Sequence, residues 1–317
     1  MRYGGDMAPG AMTSRRDNVP EDSSLRGHLS SMPPLQSSGT LQGHQIVFDK
    51  YPWHLKEVPI CFNSTLCPSE ANNTWDYYFD YLTDVDVRSF VLGGYAIRKS
   101  RIAADPEFYP PWNKTGFNEL RRRVDAVGGR ILADLGVYGD KTFDKKAFLG
   151  SAAKFTEDYR VDGFQLKVSF WDSDVIPPLK EAFKAIKELR LHSSLWFSTD
   201  DWEKVSENGL GKIADTNFVI IWPHYPDQVQ AFNTDRFAEE DINTLVMTIP
   251  LLARSTYDSS DVGYSNAIYD LGGDPKGDGS VIYSPGDGFY FFSQPRAIDK
   301  IAVAKKHGLQ RYCTTRK

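Results

Sequence analysis

Short runs of β-branched and aromatic residues alternate with longer amphipathic segments from residue 45 onward. This alternation predicts βα units, because buried strands are short and apolar whereas surface helices carry a single apolar stripe. The predicted strands are Val58–Phe62, Arg88–Ile97, Arg130–Leu135, Gly163–Val168, Ser193–Ser198, Asn217–Trp222, Thr244–Ile249 and Leu309–Thr314. The predicted helices are one within the aromatic-rich connection Asn63–Asp86, then Gly116–Val127, Lys145–Tyr159, Pro178–Leu191 and Ala297–His307.

Eight parallel strands separated by helices predict an α/β protein with a (β/α)8 TIM-barrel fold over residues 44–317. An open doubly wound sheet is the structural alternative, but it usually has fewer strands. No dinucleotide or phosphate-loop glycine pattern follows the first strand. Residues 1–43 are rich in Ser, Gly, Pro, Met and Arg and lack apolar periodicity, so we predict a tag remnant followed by a disordered arm.

The charge of the chain narrows the classes of partner. The 317 residues include 37 Lys and Arg against 42 Asp and Glu, a formal net charge of -5. An acidic chain without a basic block is a poor candidate for binding nucleic acid or an anionic membrane. No uninterrupted apolar run approaches the roughly 20 residues of a membrane helix, so no membrane span is expected.

Three cysteines are too few for a disulfide scaffold, and they lack metal-ligand spacing, so we expect neither a metal nor a cofactor. Cys61 and Cys67 could close a short loop, or Cys61 could pair with Cys313. The spacing leaves both pairings open.

Three glycosylation sequons, at Asn63, Asn72 and Asn113, lie in the first half of the chain. Their clustering away from apolar runs favours a secreted or extracellular glycoprotein. The first 30 residues lack the charged-then-apolar pattern of a signal peptide, so a secreted protein would have lost its signal before this chain begins.

The most informative segment runs from Arg130 to Asp172. It contains the sequence YRVDGFQLKVSFW over Tyr159–Trp171. Further segments match the same family in order: Pro59–Asn63, Asp86–Ile97, Asn217–Tyr225, Thr248–Ser255 and Arg296–Leu309. Together they resemble the family 18 glycoside hydrolases, the chitinases and their relatives, whose fourth strand reads Asp-Gly-x-Asp-x-Asp-x-Glu. The resemblance implies the (β/α)8 barrel as well.

The acidic half of that motif is absent. Asp162 and Gly163 remain, but the three acidic positions hold Gln165, Lys167 and Ser169. Alternate residues of a strand share one face, so the family pattern places its carboxylates inside the barrel, with the terminal Glu as general acid. The family uses the substrate's N-acetyl group as nucleophile, which an Asp orients. Loss of the general acid alone should lower the rate of glycoside hydrolysis by about 10²–10⁴-fold.

The sixth strand departs from the family as well, because His224 and Tyr225 stand where the family has Tyr and Asp. The resemblance therefore implies a pseudoenzyme. Lys167 is expected to point into the barrel, where a buried charge needs a partner. Asp134 is the nearest candidate by sequence, although its facing is uncertain.

The ends of the strands carry candidate ligand contacts. Trp171, Trp196, Trp222 and Tyr225 could stack on sugar rings or simply fill the barrel mouth, and Asp200 could contact the same ligand. Only Ser255–Pro295 is available for the insertion that larger family members carry between strands seven and eight. A reduced insertion predicts a shallow groove.

Two function classes remain open, both for a catalytically inactive chitinase-like protein. The first is a secreted lectin for a glycan that contains N-acetylglucosamine. The second is a module whose exposed loops bind a host or partner protein. The alternative is a glycoside hydrolase or another enzyme that uses residues outside the family pattern, such as Asp200, Asp201 or Lys167.

Overall fold

The computed structural model describes residues 44–48, 75–104, 111–137, 142–168, 173–223, 245–258, 260–306 and 312–316. All of these residues lie in one compact unit that spans residues 41–317. The predicted arm, residues 1–43, lies outside the described residues.

A closed ring of parallel strands forms the centre of the fold. Within the described residues the strands are β1 His44–Phe48, β2 Val87–Arg98, β3 Arg101–Ala104, β4 Arg130–Val137, β5 Gly163–Val168, β6 His192–Ser198, β7 Thr216–Ile220, β8 Leu245–Pro250, β9 Leu252–Ser255, β10 Asp261–Gly263, β11 Ser280–Ser284, β12 Asp287–Phe291 and β13 Tyr312–Arg316. The pairing order β1-β13-β8-β7-β6-β5-β4-β2 returns to β1, and every pair in it is parallel. The predicted (β/α)8 barrel is therefore confirmed.

Helices cover the outside of this ring. In the described parts of the chain they are α1 Trp75–Asp84, α2 Lys114–Ala126, α3 Lys145–Asp158, α4 Ile176–Glu188, α5 Trp202–Glu207, α6 Tyr264–Tyr269 and α7 Gln294–Lys306. Side chains that point out of β5, such as Phe164, pack with Phe155 of α3 and Phe183 of α4 in the main core. None of the helices described is long and apolar enough to cross a membrane.

The first barrel strand differs from the sequence prediction. The strand predicted at Val58–Phe62 lies outside the described residues, and His44–Phe48 occupies the place between β13 and β2. With β1 paired on both sides, the ring formed by the described strands is complete. Ile46 is 1% exposed, which shows that this short strand is part of the buried core.

A small antiparallel sheet lies between the seventh and eighth barrel strands, β8 and β13. Its order is β10-β9-β12-β11. One of its faces packs on α6, where Ala253, Ala267 and Phe291 are buried together. The predicted reduced insertion is therefore present.

Candidate functional site

The strand that carries the degenerate motif, β5, has the predicted facing. Phe164 and Leu166 are fully buried in the core between the ring and its helices. Gln165 and Lys167 point into the barrel: the Gln165 amide donates to Asp134 Oδ1 at 3.0 Å, and Lys167 Nζ lies 4.6 Å from the ring centroid of Trp196. The structure describes two of the three acidic motif positions, and these hold an amide and an ammonium group. Ser169 lies outside the described residues.

The retained half of the motif has a structural role. Asp162 Oδ2 accepts from Arg121 Nη1 at 2.6 Å and from the Ile131 backbone N–H at 2.7 Å, so it ties helix α2 to β4 at the N-terminal end of β5. A Cβ on Gly163 would lie 2.0 Å from the His192 carbonyl oxygen. This position is therefore restricted to glycine by the close approach of β6.

Asp134 points inward, which settles the facing that the sequence left uncertain. Its side chain is 5% exposed, and its carboxylate accepts the hydrogen bond from Gln165. The Lys167 amine lies over the ring of Trp196, its register neighbour on β6. A protonated amine over an indole face is stabilised by about 0.5–2 kcal/mol, depending on how dry the site is.

The barrel interior contains an apolar cluster next to these polar groups. Its members are Val91, Leu132, Trp196, Phe218, Ile220 and Val246, with Trp222 packed against them. Trp196 is only 9% exposed, so it fills the interior, whereas Trp222 is half-buried just beyond β7. Trp171, His224 and Tyr225 lie outside the described residues.

Trp222 is covered by a cation that sequence reasoning did not single out. The Arg254 guanidinium carbon lies 4.4 Å from the Trp222 ring centroid. Arg254 belongs to β9, the first strand of the insertion, and its Nη1 is 3.8 Å from Asp261 Oδ1. In the sequence, Arg254 appears only within a segment that resembles the family. Its contact with Trp222 could not be predicted, because that contact depends on how the insertion folds.

Several interior polar atoms lack a protein partner. Among the described residues, four at inward positions of β5, β6 and β8 are buried without a hydrogen bond: Gln165 Oε1, Ser194 Oγ, Trp196 Nε1 and Thr248 Oγ1. Buried polar groups of this kind are normally satisfied by ordered water or by a ligand. Ordered water is the partner that such enclosed atoms can accommodate.

Two carboxylates follow β6 at the C-terminal end of the ring. Asp200 is exposed in the short 3-10 turn Thr199–Asp201, and its backbone N–H donates to Ser198 Oγ at 3.4 Å. Asp201 is half-buried and occupies the N-cap position of α5 without making a side-chain capping bond. Burial is the main cause that raises the pKa of Asp201 above its usual 3.8.

Asp201→Asn is expected to raise the stability of the protein at pH 7 but not at pH 3. A raised pKa means that the folded protein binds this proton more tightly than the unfolded chain does. Stability is therefore lost as the pH rises above 3.8 through the folded pKa, and asparagine removes that loss. Thermal unfolding at both pH values checks this, with exposed Asp200→Asn as the matched control. An unchanged melting temperature at pH 7 would contradict it.

The described residues contain one of the predicted modification sites. Asn113 is exposed, and its Oδ1 caps α2 by accepting from the Gly116 N–H at 2.9 Å. Asn63, Asn72, Cys61 and Cys67 lie outside the described residues, and the Cys313 backbone belongs to β13. Within the residues that the structure covers, no group of three or more His, Cys, Asp or Glu could hold a metal ion.

Comparison with solved structures identifies the fold. A spore cortex-lytic enzyme of Bacillus megaterium matches at 12% identity with a TM-score of 0.58, covering 88% of this chain and 71% of that one. A chitinase of family 18 from Flavobacterium johnsoniae matches at 11% identity with a TM-score of 0.56, covering 86% of this chain and 87% of that one. The chain also matches catalytic domain 2 of the Group II chitinase of Ostrinia furnacalis, a mutant solved with penta-N-acetylchitooctaose. The identity is 14% and the TM-score 0.54, and the match covers 86% of this chain and 89% of that one.

These likenesses show that the chain has the fold of the family 18 chitinases. They extend over most of each chain, which agrees with the ordered segments seen in the sequence. None of the protein-family models and none of the curated proteins compared with the chain matches its sequence.

Proposed function

We propose that this protein binds glycans in a chitinase-like barrel and does not cleave them by the family 18 mechanism. The observation that carries the proposal is the inner face of β5, where Gln165 and Lys167 stand at two acidic positions of the family motif. A secreted setting, for which the sequons argue, belongs to the same proposal. Binding to a host or partner protein stays a prediction from the sequence.

The replacements remove the chemistry that the family mechanism needs. An amide has no proton to donate to a leaving group at neutral pH, and the Gln165 N–H is already committed to Asp134. A lysine ammonium near the reacting carbon repels the positive charge that develops during glycoside cleavage. Serine at position 169 is not an acid at neutral pH either.

Glycan binding is supported by two features of the molecule. The fold is shared with chitinases, one of which was solved with a chito-oligosaccharide. The barrel also places a half-buried indole, Trp222, against the interior cluster that lies beside the polar groups of β5, β6 and β8. Carbohydrate sites combine such hydrogen-bonding groups with aromatic surface.

Incubation of the purified protein with a chromogenic chitobioside and with chitotetraose tests the absence of hydrolysis. We expect no sugar release above the protein-free blank. We also expect none from a Gln165→Asp, Lys167→Asp, Ser169→Glu triple variant, because His224 and Tyr225 differ from the family as well. Sugar release by the wild type that Ser169→Ala abolishes would contradict the proposal.

A second candidate function is an enzyme that uses Asp201. The half-buried carboxyl with its raised pKa, at the barrel end where active sites lie, favours this candidate. If the wild type releases sugar, loss of that activity in Asp201→Asn but not in Asp200→Asn would support Asp201 as the acid. Equal activity in both variants would exclude it.

A further inference from the structure

The start of helix α2 determines which side chains of residues 112–117 face the solvent. Trp112, which lies just before the helix, stacks on Phe117 with ring centroids 5.6 Å apart and an interplanar angle of 13°. Both rings are buried, and together they form a hydrophobic staple that fixes the angle at which the chain enters the helix. Asn113, Lys114 and Thr115 are exposed. The sequon formed by these three residues is therefore held on the surface in a defined orientation.

The side-chain amide of Asn113 is divided between two environments. Its Oδ1 accepts from the Gly116 backbone N–H at 2.9 Å, which is the N-cap bond of α2. The backbone carbonyl of Asn113 accepts from the Phe117 N–H at 2.9 Å, so the helix begins at this residue. In the part of the chain that the structure describes, the Nδ2 amine makes no hydrogen bond. Capping thus uses the oxygen of the amide and leaves its nitrogen unused.

The residues next to Asn113 leave its side chain accessible. Lys114 extends to the end of α3, where its Nζ is 2.6 Å from Asp158 Oδ1. Asn113 stays exposed beside this ion pair, and the Thr115 side chain is exposed one position further on. N-linked glycans are bulky and need such a position on the protein surface.

Helix capping does not by itself account for this combination of residues. An N-cap needs one acceptor oxygen, which Asp or Ser would supply as well as Asn. The fold makes no use of the Nδ2 amine of Asn113 or of a hydroxyl at position 115. An Asn with a free amide nitrogen, followed two residues later by Ser or Thr, is the arrangement that N-glycosylation requires.

We propose that Asn113 is an acceptor site for N-linked glycosylation, with the sugar on Nδ2 and the helix cap kept by Oδ1. The inference rests on the secreted setting within the proposed function, and it does not depend on ligand binding by the barrel. It adds a covalent modification on the outer surface, at the first turn of α2.

The chemistry of the transfer leaves the cap intact. Nδ2 attacks the anomeric carbon of an N-acetylglucosamine that is carried by a lipid pyrophosphate. The bond from Nδ2 to that carbon forms, and the bond from the carbon to the pyrophosphate oxygen breaks. The lipid pyrophosphate leaves with the electron pair, and Nδ2 loses one proton. The product is a secondary amide whose carbonyl oxygen can still accept from Gly116.

Expression of the full chain behind a cleavable signal peptide in a eukaryotic host tests the proposal. The purified protein is treated with the amidase that removes N-glycans and converts the acceptor Asn to Asp. Peptide mass spectrometry then measures conversion at residue 113, with an untreated sample as the background. We expect conversion of most copies. Because the transfer precedes export, protein retained in the endoplasmic reticulum is extracted and measured in the same way.

Variants separate the sequon from the cap. Thr115→Ala should abolish the modification at Asn113, whereas Thr115→Ser should keep it. Asn113→Asp removes the acceptor but keeps a capping oxygen, and Asn113→Ala removes both. The glycosylated wild type and Asn113→Asp should therefore melt alike, with Asn113→Ala about 2 °C lower.

Each outcome bears on a separate part of the proposal. An unmodified Asn113 in the wild type overturns it and leaves glycan binding by the barrel untouched. Modification that persists in Thr115→Ala overturns the assignment to the sequon. A glycosylated wild type that melts as low as Asn113→Ala overturns the division of the amide between cap and sugar. Failure of the protein to bind chitotetraose contradicts the proposed glycan binding alone.

Discussion

Gly163→Ala is expected to destabilise the protein by about 3 kcal/mol, enough to abolish folding if the wild type is marginally stable. The new Cβ would lie 2.0 Å from the His192 carbonyl oxygen and 2.7 Å from its carbon, which are backbone atoms of β6. Backbone atoms cannot rotate away as a side chain can. The clash must therefore separate β5 from β6 at a point where the ring is closed. Denaturant unfolding followed by circular dichroism measures the effect.

Gly150→Ala is the matched control. Gly150 lies inside α3, and a Cβ there would meet nothing within 4 Å. Alanine also restricts the unfolded chain more than glycine does, so this variant should gain about 0.4–1 kcal/mol. If Gly163→Ala were as stable as Gly150→Ala, the close approach of β5 and β6 would be wrong. The register of the whole motif would then be in doubt.

Trp196→Ala is expected to cost about 3–5 kcal/mol of stability and to lower glycan affinity by at least about tenfold. The indole is 9% exposed in the interior cluster, so its removal leaves a cavity inside the barrel. It also removes the ring beneath Lys167. Thermal unfolding and calorimetric titration of the same preparation measure the two effects.

Neighbouring variants separate the loss of stability from the loss of binding. Phe197 is the next residue of β6 but is fully buried in the outer core, so Phe197→Ala should cost a similar stability and leave glycan affinity unchanged. Trp196→Phe keeps an aromatic ring and removes the unpartnered N–H. It should therefore fold with little loss. Reduced affinity in Phe197→Ala equal to that in Trp196→Ala would refute the interior site.

The alternation of apolar and polar residues predicted the strand that matters most. Along β5, Phe164 and Leu166 are apolar while Gln165 and Lys167 are polar, and a period of two leaves only one facing that buries the apolar pair. The same logic did not select His44–Phe48 as a barrel strand, because the run is short and its pairing with β13 and β2 is not a local property of the sequence. The run that it did select, Val58–Phe62, lies outside the described residues.

The contacts of the interior side chains could be predicted from the sequence only in part. Asp134, the nearest acid to Lys167 along the chain, accepts a hydrogen bond from Gln165, its register neighbour on β5. The contact between Lys167 and Trp196 depends on the register of β5 against β6. The contact between Arg254 and Trp222 depends on the placement of the insertion. Local pattern fixes which way a side chain points, whereas strand register fixes what it meets.

Native mass spectrometry of the protein mixed with chitotetraose tests the central claim most directly, because it records binding and cleavage together. We predict a one-to-one complex with the intact tetrasaccharide that persists over a day of incubation. Complexes with shortened sugars that accumulate with time would contradict the claim. So would the absence of any complex at probe concentrations well above the micromolar range.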